Sequence, residues 1–294
     1  MVMSKIISFI RLMRPVNCAM MGFAVIIGAT LANLNGLNAS WLELVYGFIT
    51  GFTLTAASMT INDYYDQKID AVNEPDRPIP SGSIKSREAL AFALVLTIMG
   101  FSTAFLTNAL CLLAAIVAWL IFVVYTTVGK RSGLPGNFLV STCVAIPFIY
   151  GSIAIANTIR LNVLIFASMA FLSNTGREIT KGIADVQGDR DQGVKTLAVR
   201  FGEKTAAIIA VFFYFSAILL SPIPRLLNLV SFWFIPFVVI TDIGFVFSSL
   251  SLVRDCSREN ARKVKKIVLL WFIIGLSAFV AGTFGWIDAW WIFH

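Results

Sequence analysis

Asn62, Asp66 and Asp70 stand at steps of four, with Asp63 beside them, in the stretch INDYYDQKIDAVNEPDRPIP, residues 61–80. On a helix that spacing puts them on one stripe, stacked over two turns. Stacked carboxylates repel, so the stripe asks for a compensating cation. Asp185 and Asp189 repeat the spacing downstream, and Arg177 and Lys181 precede them, again at steps of four. That row shares one face if the helix continues to residue 189, a continuation that Gly182 and Gly188 oppose. Carboxylate and amide oxygens suit hard cations. Mg²⁺ in particular is held by one or two carboxylates, while substrate phosphates and water complete its octahedron. Two such groups facing each other on one membrane face could hold Mg²⁺ ions with a diphosphate between them. Nearby Arg and Lys would take the remaining phosphate charge. A single pair of this kind can be a solvated helix cap; two clusters, each beside Arg and Lys, favour the chemical reading.

The elements that must position these residues are apolar. The chain has 294 residues, 58% hydrophobic and 13% charged, with mean hydropathy +0.83. A soluble domain carries about 25% charged residues, so the composition is that of an all-α, polytopic membrane protein. A span needs about 20 apolar residues. The sequence offers nine, near 16–34, 41–61, 89–107, 109–128, 138–156, 161–180, 205–222, 229–252 and 267–286. Ala89 to Gly129 contains no charge and is too long for one span, so Thr107–Asn108 is read as a tight turn between two helices.

With the N-terminus in the cytoplasm, the inner segments 1–15, 62–88, 129–137, 177–204 and 253–266 hold 21 of the 23 Lys and Arg. Cationic loops stay on the cytoplasmic side. One span more or fewer would scatter these charges over both faces. The net charge of +7 is therefore an orientation signal in the cell membrane, with the C-terminus outside, and no basic stripe on a soluble domain points to nucleic acid. The N-terminal segment lacks the small-residue cleavage site of a signal peptide. Cys18, Cys111, Cys143 and Cys256 are isolated and read as packing residues. No soluble domain fits between the spans, so 1–294 is read as one domain with Asp-rich cytoplasmic segments at 62–88 and 177–204. No obligate protein partner is expected.

NDYYDQKIDAVNEPDRPIPSG matches the NxxxDxxxD motif of the UbiA superfamily of intramembrane prenyltransferases. GREITKGIADVQGDRDQGVKTLAVRFG resembles that family's second aspartate motif, and VYTTVGKRSGLPGNFLVS resembles the segment between the two. Among the branches, RPVNCAM, NEPDRPIPSG and YTTVGKRSGLPGN look most like archaeal digeranylgeranylglyceryl phosphate synthases. Two positions depart from the pattern: Gly182 and Ala184 stand where many relatives carry acidic residues.

The resemblance implies nine helices around a central cavity open sideways to lipid, with the aspartates at its cytoplasmic mouth. It implies transfer of a prenyl group from an isoprenyl diphosphate, with Mg²⁺ neutralising the leaving diphosphate. An apolar chamber suits a long prenyl tail, and aromatic faces can stabilise an allylic cation. The expected roles are Asn62, Asp66 and Asp70 on one Mg²⁺ and Asp185 and Asp189 on the other, with Asp63 as a cap or a supporting group. Arg77, Lys130 and Lys181 would contact the diphosphate. The family pattern puts Tyr125 near the reacting carbon, although a tyrosine there can equally belong to the aromatic belt.

Arg14 and Asn17 are either anchors of the first span or, with Arg131, contacts for the phosphate of a lipid-like acceptor, geranylgeranylglyceryl phosphate. An aromatic acceptor such as 4-hydroxybenzoate shares the same diphosphate site. A transporter would keep its coupling sites near the midplane, where only Asp242 lies; a hydrogen bond between helices is the reading preferred for it. The sequence offers no obvious base, since His294 is C-terminal and on the opposite face. Asp255, Glu259 and the RKVKK run, residues 262–266, read as a solvated loop.

Overall fold

The computed structural model describes residues 2–33, 40–191 and 193–292, and among these every regular element is a helix. In chain order they are α1 Val2–Met13, α2 Pro15–Ala32, α3 Trp41–Asn73, α4 Ser86–Thr107, α5 Ala109–Thr127, α6 Leu134–Ala156 and α7 Leu161–Ala184, then α8 Val186–Asp191, α9 Leu197–Phe201, α10 Glu203–Leu220, α11 Ile223–Leu226, α12 Phe234–Arg254 and α13 Arg258–Ile292. The expected turn at Thr107–Asn108 is present. Asn108 alone separates α4 from α5, and its side chain caps α5 by accepting from the Cys111 amide at 2.7 Å. His294 lies outside the described residues.

Eight helices among the described residues are long and apolar enough to cross a membrane: α2, α3, α4, α5, α6, α10, α12 and α13. The ninth expected span, α7, has the length, 24 residues, but not the apolarity. Asn162, Asn174, Arg177, Glu178 and Lys181 interrupt it. Four of these, Asn174, Arg177, Glu178 and Lys181, face a central chamber, and α6, α10 and α13 pack around the helix. A polar stripe is tolerated in a membrane helix when it faces the bundle interior.

The helices α2 and α6 approach so closely that side chains would collide. A Cβ on Gly28 would come 2.1 Å from the Phe148 carbonyl oxygen, and one on Gly151 2.0 Å from that of Val25. Small residues at such crossings let backbones meet where lipid gives no hydrophobic drive. Phe148 and Phe279 line one part of the chamber; Phe279 meets Phe148 and Phe166 edge to face, with the Phe166 and Phe279 centroids 4.1 Å apart, and stacks on Phe234 at 12°. The ends of α3, α5 and α7 and the starts of α2 and α13 gather at the other end, and they carry the charged residues.

Candidate active site

The helix α3 runs on without a break to Asn73, so its aspartates sit in the helix body. Asp63, Asp66 and Asp70 are all buried. Burying a carboxylate is costly unless it is paired, and each has a cation from a different element. Arg14 Nη2 donates to Asp63 Oδ1 at 2.5 Å. Arg77 Nη1 donates to Asp70 Oδ2 at 2.6 Å and reaches Asp63 Oδ1 at 3.4 Å. The Lys130 ammonium is bonded to Asp66, whose Oδ2 also accepts from Asn62 Nδ2 at 3.0 Å.

Local sequence explains how these cations arrive. Arg14 sits just before Pro15 with φ 55 and ψ 68, a left-handed backbone unusual for arginine. Arg77 rides on the proline-rich loop, which Ile79 and Ile84 pin against Leu12 and Ala89. Lys130 comes from the 3₁₀ turn Gly129–Arg131 after α5. Burial pushes the Asp70 carboxyl above the ordinary range, against the pull of Arg77.

The second cluster differs from expectation. α7 stops at Ala184, Asp185 leaves helical geometry at φ −108 and ψ 8, and α8 starts at the next residue. The row is therefore broken at Asp185, between Gly182 and Gly188, where Asp and Gly are poor helix formers. The break is slight, since the Asp189 amide still donates to the Asp185 carbonyl at 3.0 Å. Asp185 accepts from Lys265 Nζ at 3.4 Å. Burial and the neighbouring Asp185 push Asp189 up to about 6, against the charges of Lys181 and Lys130. Lys130 thus bonds to Asp66 and also lies near enough to Asp189 to act on its charge.

A chamber of about 410 Å³ is lined by residues that include Arg14, Asn17, Asn62, Tyr125 and Lys181, while Asp66, Asp70, Asp185 and Asp189 lie outside its lining. Tyr125 has Lys181, Glu178 and Asp66 as charged neighbours. Arg77 and Lys130 stand behind the rim, on the carboxylates. Arg131 is exposed on its turn and does not line the chamber. Asp242 does line it and accepts from Ser221 Oγ at 2.6 Å, which is the interhelical bond expected.

Three rim residues went unassigned in the sequence. Glu178 accepts from Arg177 at 3.2 Å and from Lys181 at 3.5 Å; its flanking cations were the available signal. Lys265 and Lys266, read as part of a solvated loop, line the chamber because α13 begins at Arg258, two turns before the apolar run. Asp255, Glu259, Arg262 and Lys263 are exposed, as that reading has them, with Glu259 and Lys263 paired at 2.8 Å. Among the described residues no three His, Cys, Asp or Glu side chains converge closely enough to hold a metal unaided.

The model of the UbiA prenyltransferase family matches residues 21–274. The chain belongs to this family. It is 38% identical over 279 residues to the digeranylgeranylglyceryl phosphate synthase of Archaeoglobus fulgidus, covering 93% of this chain and 94% of that one. A solved structure concerning digeranylgeranylglyceryl phosphate synthase in membranes superposes with a TM-score of 0.75 at 31% identity, covering 95% of this chain and 98% of that one. A UbiA homologue from Archaeoglobus fulgidus bound to GPP and Mg²⁺ shares the fold, with a TM-score of 0.64 at 20% identity over 93% of this chain and 99% of that one. The family membership makes the protein a multi-pass membrane prenyltransferase.

Proposed function

We propose that the protein transfers a geranylgeranyl group from geranylgeranyl diphosphate to the hydroxyl of geranylgeranylglyceryl phosphate, forming the second ether bond of archaeal membrane lipids. The observation that carries this reading is the similarity along the chain's length to synthases of that name, together with an apolar chamber that Asn62 of α3 and Lys181 of α7 both line. The donor tail lies in the chamber and its diphosphate lies at the rim. The allylic carbon–oxygen bond breaks, diphosphate leaves, and the acceptor oxygen bonds to the carbon as it loses its proton. An allylic carbon with cationic character reacts with a weak nucleophile, so no strong base is needed at the rim.

The donor set suits Mg²⁺. Asn62, Asp66 and Asp70 offer only oxygen to one ion and Asp185 and Asp189 only oxygen to the other, without thiolate or imidazole. When bound, Mg²⁺ supplies charge neutralisation of the leaving diphosphate. Arg77 and Lys130 hold the carboxylates in place and offer donors to phosphate oxygens, joined by Lys181. Tyr125 presents its ring beside the reacting carbon. The mouth and the N-terminus face the cytoplasm, where the Lys and Arg are concentrated.

The test is purified protein with geranylgeranyl diphosphate, Mg²⁺ and either geranylgeranylglyceryl phosphate or 4-hydroxybenzoate. The expected result is a diether product from the first acceptor; product from the benzoate alone would overturn the reading.

A further inference from the structure

The sequence pointed to Arg14, Asn17 and Arg131 for the acceptor's phosphate, and of these Arg14 and Asn17 line the chamber. Arg14 is engaged with buried Asp63 at 2.5 Å, and Arg131 is exposed away from the chamber. On the opposite wall, Lys265 and Lys266 head a face of α13 that continues into the chamber as Leu269, Phe272 and Leu276. That order, cationic at the mouth and apolar below, complements an amphiphile with an anionic head and a hydrocarbon tail. Arg177 faces the same space from α7, and its Nε is buried without a hydrogen-bond partner.

The charge balance separates the two walls. On the α3 side each cation sits on a buried carboxylate. On the α7 and α13 side Arg177 and Lys181 share the single Glu178, Lys265 is 3.4 Å from half-exposed Asp185, and Lys266 has no carboxylate partner among the described residues. Phosphate monoesters favour combined Arg and Lys donors.

We infer that Lys265, Lys266 and Arg177 form the seat of the acceptor's phosphomonoester, separate from the groups that hold the donor diphosphate. The inference rests on the acceptor proposed above. Full-length protein in lipid nanodiscs carrying Lys265→Gln and Lys266→Gln together is compared with the unaltered protein. Steady-state rates are measured with each substrate varied in turn. The expected result is a KM for geranylgeranylglyceryl phosphate raised about 10–100-fold, with the KM for geranylgeranyl diphosphate nearly unchanged. Geranylgeranylglycerol, which lacks the phosphate, should be used equally poorly by both proteins. Lys265→Arg with Lys266→Arg should restore most of the acceptor KM, which a folding defect would not allow. A raised donor KM with an unchanged acceptor KM would overturn the inference, as would no change in either. If the unaltered protein fails to use the phosphate acceptor at all, the proposed function falls, a result distinct from the other two.

Discussion

The two acidic segments at the chamber mouth are built in opposite ways. On α3 a continuous 33-residue helix carries three buried carboxylates, each held by a cation brought from another element. At the junction of α7 and α8 the helix breaks at Asp185, whose side chain is 38% exposed, and the cations come from its own stripe and from α13. The first wall is unbroken and charge-matched; the second is interrupted at Asp185 and carries surplus positive charge.

Substitutions should expose this asymmetry. The largest effect is expected for Asp66→Asn, which removes the carboxylate on which Lys130 and Asn62 converge; turnover of radiolabelled donor should fall by about 10²–10³-fold or more. Asp185→Asn should cost less, because its side chain is less confined, and a loss exceeding that of Asp66→Asn would reverse the comparison. Asp63→Asn should act on stability before chemistry. It strands Arg14 and weakens the hold on Arg77, and since those cations are about a third exposed the cost should be about 1–3 kcal/mol, read from thermal unfolding in detergent. Lys130→Gln, which uncouples the walls, should lower turnover about tenfold with a smaller shift in unfolding. Tyr125→Phe keeps the ring and should change turnover least, by a few-fold at most; a loss as large as that of Asp66→Asn would give the hydroxyl a direct chemical role.

Much of the fold was readable because membrane spans advertise themselves. The uncharged run from Ala89 to Gly129 divides at Asn108, and that residue caps the second helix. The stripe of Asn62, Asp66 and Asp70 follows from helical period alone. Other features depend on how helices rotate against one another, which a linear pattern does not encode. Lys265 and Lys266 lie among exposed Arg262 and Lys263 in sequence, and only the setting of α13 turns the first two toward the chamber. The polarity that sets α7 below the other spans in hydropathy is what makes it a wall of the site. Asp63 was readable as a supporting group because it lies off the stripe, but its two arginine partners come from positions 49 and 14 residues away.

The central claim is that both acidic clusters grip one diphosphate through Mg²⁺. Equilibrium binding of a non-reactive geranylgeranyl diphosphate analogue, titrated with Mg²⁺ in the unaltered protein, Asp66→Asn and Asp185→Asn, tests it most directly. The account predicts Mg²⁺-dependent binding that weakens in each variant and needs more Mg²⁺ to recover. Binding by Asp185→Asn with the affinity and Mg²⁺ dependence of the unaltered protein would contradict it.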